Sequence, residues 1–247
     1  MTTVDERRTE GAITGPPSAW RSAASISAVV ASFGLLSLLV TTGEIIPPAI
    51  VLGLLFLGTA VALRRTTGRW PLYAGMALPV ITIAGNAPFI VEDMSHPDSA
   101  AGFVPSVVIL GGVLLTLVAS VLAKRESSST PRPLALATLG VASVAIVASL
   151  VSSASLSDDE RQEGDVSVVA SGAEYPDEIR ATAGEVGLFV ENDDAIRHTF
   201  LIEGTSVDQE VPGATDRRVT VDLEPGTYRY YCDVVGHDGM EGTLVVE

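Results

Sequence analysis

The residues best suited to chemistry are the scarcest ones. The chain has one Cys, three His and four Met, and four of these eight fall in a single region. Cys232-Asp-Val-Val-Gly-His237-Asp-Gly-Met240 brings a thiol, an imidazole and a thioether into one short Gly-containing stretch, and His198 lies 34 residues upstream of Cys232. Two imidazoles, one thiolate and a weak thioether form the donor set of a blue-copper site. Thiolate and thioether are soft donors that suit Cu(I), and imidazole suits both oxidation states. Taken singly, a Cys in a strand is usually a buried small hydrophobe, and a His or Met usually packs or caps. Jointly, all the Cys, His and Met of this part of the chain sit where one metal could collect them.

The elements that must position these residues are short β-type runs. Val166–Val169, Glu185–Val190, His198–Ile202, Arg218–Asp222, Gly226–Tyr231 and Gly242–Glu247 are rich in Val, Thr, Tyr and Phe with period-two alternation. Pro212-Gly213 and Glu224-Pro225-Gly226 mark turns. Six or seven strands in about 85 residues imply a small antiparallel sandwich. In that sandwich Cys232 ends one strand, Gly242 opens the next, and His237 and Met240 ride the loop between them.

The segments Asn192-Asp-Asp-Ala-Ile-Arg-His198-Thr-Phe and Tyr230-Tyr-Cys232-Asp-Val-Val-Gly-His237-Asp-Gly-Met240-Glu-Gly-Thr-Leu-Val-Val resemble the cupredoxin family, the blue-copper proteins that include plastocyanin, azurin, amicyanin and membrane-attached halocyanin-like forms. The resemblance covers roughly Val166 to Glu247. It implies an all-β Greek-key sandwich holding one copper ion that cycles between Cu(I) and Cu(II). It also implies His198 and His237 as imidazole ligands, Cys232 as thiolate, Met240 as axial ligand, and Asn192 as the residue opening the turn before the first histidine. The spacing Cys-x₄-His-x₂-Met departs from many relatives, whose His-to-Met stretch is longer, and a tighter loop is expected to lengthen or displace the Met240 contact. A two-copper centre needs a second Cys in this loop, and there is none.

The rest of the chain is of another kind. Residues 22–43, 45–63, 70–91, 99–123 and 133–157 are free of charge, and about 20 apolar residues span a bilayer as a helix. The sequence predicts five transmembrane helices: Ala23–Val40, Ile46–Leu63, Leu72–Ile90, Phe103–Ala123 and Leu134–Ser152. The third is the weakest, because it holds Pro79, Asn86 and Pro88. Arg7, Arg8 and Arg21 precede the first span, Arg64, Arg65 and Arg69 follow the second, and Lys124, Arg125 and Arg132 follow the fourth. Positive loops stay in the cytoplasm, so the N-terminus is expected inside and the copper domain outside, at the cell membrane. The spans hold no Asp, Glu, Lys, Arg or His, which argues against a pump or proton-coupled transporter. Asp93, Met94, His96 and Asp98 read as a solvated outer loop between spans three and four. The expected layout is a cytoplasmic tail over 1–22, a five-helix membrane region over 23–152, a solvated acidic linker over 153–164, and the cupredoxin domain over 165–247.

Charge follows the same division. The chain carries a net charge of −15, yet from Leu156 onward there are 22 acids against 6 bases, while the first 155 residues are nearly neutral. Such an acidic surface repels phosphate, which excludes a nucleic-acid binder. One Cys excludes a disulfide-stapled domain. The acidity resembles that of proteins from salt-loving archaea, where carboxylates keep surfaces soluble.

The expected function is therefore a membrane-anchored carrier of single electrons, with the bilayer and the redox proteins of a respiratory chain as partners and no small-molecule substrate. The alternative is an extracytoplasmic copper-binding sensor or chaperone. An enzyme is not expected, since substrate chemistry needs a further metal site with an open position and only His96 remains to build one.

Overall fold

The computed structural model describes residues 18–43 and 45–247; the expected cytoplasmic tail, apart from its last five residues, lies outside them. The helical half contains α1 (Ala19–Thr41), α2 (Pro47–Arg65), α3 (Trp70–Gly85), α4 (Ala87–Ser95), α5 (Ala100–Lys124) and α6 (Arg132–Ala154). Four of these, α1, α2, α5 and α6, are long and apolar enough to cross a membrane. The third expected span is instead two helices, α3 and α4, bent by 68°. The cause lies in the residues that weakened it on paper. Asn86 ends α3, with its backbone N–H and its side-chain Nδ2 both donating to Thr82 O at 3.1 and 2.8 Å. Pro88 follows in the first turn of α4, the one place where its missing N–H costs nothing. Counting the bent pair as one span restores five.

Close approach of small residues holds α1 against α5. A Cβ at Gly112 would sit 2.6 Å from Ala31 N, and Thr116 Oγ1 lies 3.0 Å from Ser27 Oγ, an interhelical pairing of the kind that suits a lipid environment. Arg21 closes one end of the bundle by donating to the carbonyls of Leu63, Thr66 and Gly68 at 2.8, 2.6 and 3.1 Å. Trp20 is buried at this same end and lies within reach of Ser129 Oγ.

The β half has eight strands: β1 (Val166–Ala170), β2 (Glu178–Ala181), β3 (Gly184–Asn192), β4 (His198–Ile202), β5 (Asp208–Val211), β6 (Asp216–Leu223), β7 (Gly226–Tyr231) and β8 (Glu241–Val246). They form a three-stranded sheet, β1-β3-β6, and a five-stranded sheet, β2-β8-β7-β4-β5. The sandwich is mixed, not antiparallel throughout: β1 pairs with β3 and β2 with β8 in parallel. The strands absent from the sequence reading, β2 and β5, are short and carry charge on a sheet edge, where charge discourages pairing with another chain. Tyr175, Phe200 and Tyr230 fill the core with ring centroids 5.5 to 5.7 Å apart, and Tyr175 Oη donates to Thr199 O at 2.8 Å, bracing the start of β4.

One expectation about the connections gains detail and another needs correcting. The acidic linker is exposed, yet it is bonded along β6 (Asp159 N to Asp216 O at 3.2 Å, Arg217 to Ser157 O at 3.0 Å, Arg218 N to Asp159 Oδ2 at 2.9 Å) because backbone groups of an edge strand are free to accept it. The outer loop expected to be solvated begins as the end of α4, and it docks on the β half. Glu92 pairs with Arg197, whose Nη1 lies 3.3 Å from Glu210 Oε1, and His96 Nε2 also lies 3.3 Å from Glu210 Oε1.

Candidate metal centre

The loop from Cys232 to Met240 is folded by its own backbone. Cys232 N–H donates to Met240 O at 2.9 Å, His237 N–H to Val234 O at 3.0 Å, and Met240 N–H to His237 O at 3.0 Å. These bonds draw the loop closed and turn His237 back over Cys232. The turns need Gly236 and Gly239, which sit at φ +95° and +96°, a region that residues with a Cβ rarely enter.

His198 arrives from the other side. Asn192 ends β3 and organises the turn that follows: its Nδ2 donates to Ile196 O, Val211 O and Pro212 O at 2.9, 3.1 and 3.0 Å, while its Oδ1 accepts Asp194 N–H at 2.9 Å. Asp194 in turn accepts from the backbone of Gly172 and Ala173 at 2.7 and 2.9 Å and holds His198 Nε2 at 2.9 Å. Burial works to raise the Asp194 carboxyl, but those backbone donors and His198 keep it below the usual carboxylate range. Fixing Nε2 in this way leaves Nδ1 as the free imidazole nitrogen, the arrangement by which a carboxylate orients a metal-binding histidine.

The free nitrogens and the sulfur converge. His198 Nδ1 lies 3.1 Å from His237 Nδ1, and Cys232 Sγ lies 3.5 Å from His237 Nδ1. One ligand atom from each of the three residues falls within 4.8 Å of the others. Metal–nitrogen and metal–sulfur bonds of about 2.0 and 2.3 Å span ligand separations of about 4 Å, and the 3.1 and 3.5 Å separations at His237 Nδ1 lie within that reach. His198 is fully buried, Cys232 is buried and His237 is partly exposed. Burial lowers the proton affinity of His198, and burial followed by the neighbouring His198 lowers His237 to about 4. Both imidazoles are therefore neutral near pH 7, the form that binds a metal. Soft sulfur with two imidazoles fits a type 1 copper site.

Met240 is buried in the same core cluster as Cys232. The sulfur of Cys232 has partners the sequence reading missed. Thr199 N–H donates to Sγ at 3.4 Å; Thr199 Oγ1 is 3.5 Å from it but closer to Asp233 Oδ1, at 2.7 Å, which takes its proton. Asp194 was hidden among 22 acids, and only its distance of four residues from His198 could have marked it.

Comparison with known proteins agrees with this geometry. Residues 141–246, from within α6 to the end of β8, match the family model described as Cupredoxin-like domain. No curated protein matches the chain. Similar solved structures include a reduced tryptophan-to-tyrosine mutant of amicyanin (23% identity, TM-score 0.31), the reduced Cu(I) form of a proline-to-glycine mutant of amicyanin (24%, 0.31) and an oxidised methionine-to-leucine mutant of amicyanin (22%, 0.30), each covering 36% of this chain and 87% of its own. Two packed sheets, a Cys–His loop closed on a buried histidine and the family match lead to one conclusion: the C-terminal part of this chain is a cupredoxin-like domain.

Proposed function

We propose that the chain is a membrane-anchored type 1 copper protein that passes single electrons between redox partners of a respiratory chain at the outer face of the membrane. His198, Cys232 and His237 hold the copper, with Met240 as the weak axial donor. The observation that carries this reading is the convergence of two Nδ1 atoms and one Sγ on a point already braced by Asp194 and Thr199. When bound, copper supplies a one-electron couple. The protein's part is to keep the ligands fixed in both oxidation states: Asp194 holds the His198 ring, Thr199 N–H steadies the charge on Cys232 Sγ, and the closed loop holds His237.

Full burial of His198 and near-full burial of Cys232 favour a resident metal over delivery to another protein, which needs ligands that open for exchange. The orientation rests on charge. Arg21, Arg64, Arg65, Arg69, Lys124, Arg125 and Arg132 share the end of the bundle away from the copper domain, which supports a cytoplasmic location for that end. The acidic surface suits a high-salt setting. The test is a visible spectrum of the full-length protein loaded with Cu(II), before and after a reductant. An intense blue band that bleaches and returns is the expected result; copper bound without that band would refute the carrier and favour copper handling.

A further inference from the structure

Between the two halves lies a cleft of ≈ 440 Å³, within the range of small-molecule sites. Leu38, Ile46, Phe89 and Ile109 from the helical half line it with apolar surface, and Ile45 and Phe89 among its lining residues are exposed hydrophobics. Glu92, Asp93 and His237 also line it. The Val234–Gly236 stretch closes it, with Gly236 set so tightly against Phe89 that an added Cβ would lie 2.8 Å from the ring.

The charges choose the occupant. Arg197 is the one Lys or Arg lining the cleft among the described residues, and it is already paired with Glu92 and Glu210. An anionic headgroup finds no unpaired cation there. Asp93 accepts one bond from Ser106 Oγ at 2.5 Å, and a carboxylate has acceptor capacity beyond one bond. The complement is a neutral, flat, apolar molecule that donates hydroxyl hydrogens, arriving from the lipid side.

We propose that this cleft binds a membrane-soluble hydroquinone, with its ring against Phe89 and Ile109 and its hydroxyls toward Asp93 and the His237 edge. The choice of a redox-active diol over other neutral lipids rests on the copper reading above, and it gives the chain a small-molecule electron donor that the sequence alone did not suggest. A hydroquinone becomes the quinone by losing two electrons and two protons. Each protein molecule takes one electron, so one diol serves two protein molecules, and the protons leave on the carboxylate side.

The test uses full-length, copper-loaded protein in lipid nanodiscs, with its blue band recorded first; the same sample is then reduced and titrated anaerobically with decylubiquinol, and binding is followed by calorimetry. The expected result is saturable binding at one site per chain, weakened at least tenfold by Ile109→Trp, which fills the cleft, with the blue band unchanged. Leu38→Trp, on another helix, gives the same loss and serves if the first variant does not fold. Binding no greater than partition into empty nanodiscs, or equal in both Trp variants and the native protein, overturns the proposal; a blue band in that same sample leaves the copper reading standing. Saturable binding in a sample that is not blue supports the cleft and sinks the copper reading.

Discussion

The helical half and the β half of this chain solve the burial problem in opposite ways. In the helices many buried positions are small, such as Ala24, Ala28, Ala31, Ser32, Gly112 and Ser120, with a few large residues such as Trp20, Phe56 and Leu63 between them. Large apolar residues such as Phe33, Val40, Leu136 and Val144 point outward. In the β half the large residues are inside, with Phe200, Tyr230, Leu188 and Met240 among the most buried, and charge covers the surface. In the membrane proposed above, lipid offers no hydrophobic drive between helices, so close backbone approach and short polar bonds hold the first half; water supplies that drive for the second. The difference teaches where chemistry can sit. Among the described residues, the group of His and Cys able to hold a metal is in the half whose interior is a fixed jigsaw of large side chains and buried hydrogen bonds.

Experiments can break or sharpen this contrast. The largest effect is expected from Cys232→Ser: complete loss of the blue band, with the far-ultraviolet helical signal unchanged. Retained blue absorption would remove Cys232 from the site. Next, Asn192→Ala takes the donor from the carbonyls of Ile196, Val211 and Pro212. Pro212 O keeps the bond from Thr215 Oγ1, and losing the donor from the others costs about 1–3 kcal/mol, read as an earlier thermal transition of the β half alone. On the other side, Gly112→Val drives a side chain into the backbone of Ala31. Overpacking of this kind costs about 1–3 kcal/mol, read as easier unfolding of the helices in detergent with the copper spectrum intact; a change in the blue band would mean the two halves are coupled through α5. The smallest effect belongs to Met240→Leu, which keeps copper and raises the reduction potential by removing a weak donor to Cu(II). A potential identical to that of the native protein would show that Met240 is not axial.

Much of the site was legible because its residue types are rare. His198, Cys232 and His237 are conspicuous in a stretch with no other His or Cys, and the structure brings all three together. Their supports were not legible. Asp194 is one acid among many, and Thr199 acts through its backbone N–H, which every residue but proline has. The long apolar helices could be read from charge-free runs, while the 68° bend at Asn86 depends on how Pro88 and Asn86 share one turn. Strands β2 and β5 escaped because each is only four residues long, too short for a periodic signal, and carries charge, and the parallel pairings of β1 and β2 depend on contacts distant in sequence. The docking of α4 required Glu92 to find Arg197 across 105 residues.

The bonds from the linker to β6 have a kinetic consequence. Only Ser155 and Leu156 separate the end of α6 from Ser157, whose carbonyl is already held by Arg217. At about 3.3–3.6 Å per residue, that stretch reaches roughly 10 Å. The copper domain is thus no swinging arm. On the function proposed above, it rides at a fixed height above the lipid, and a macromolecular partner must present its own redox group at that height. Turnover with such a partner is then paced by lateral diffusion of the whole protein, so a more viscous bilayer slows it and a longer leash after Ala154 does not speed it.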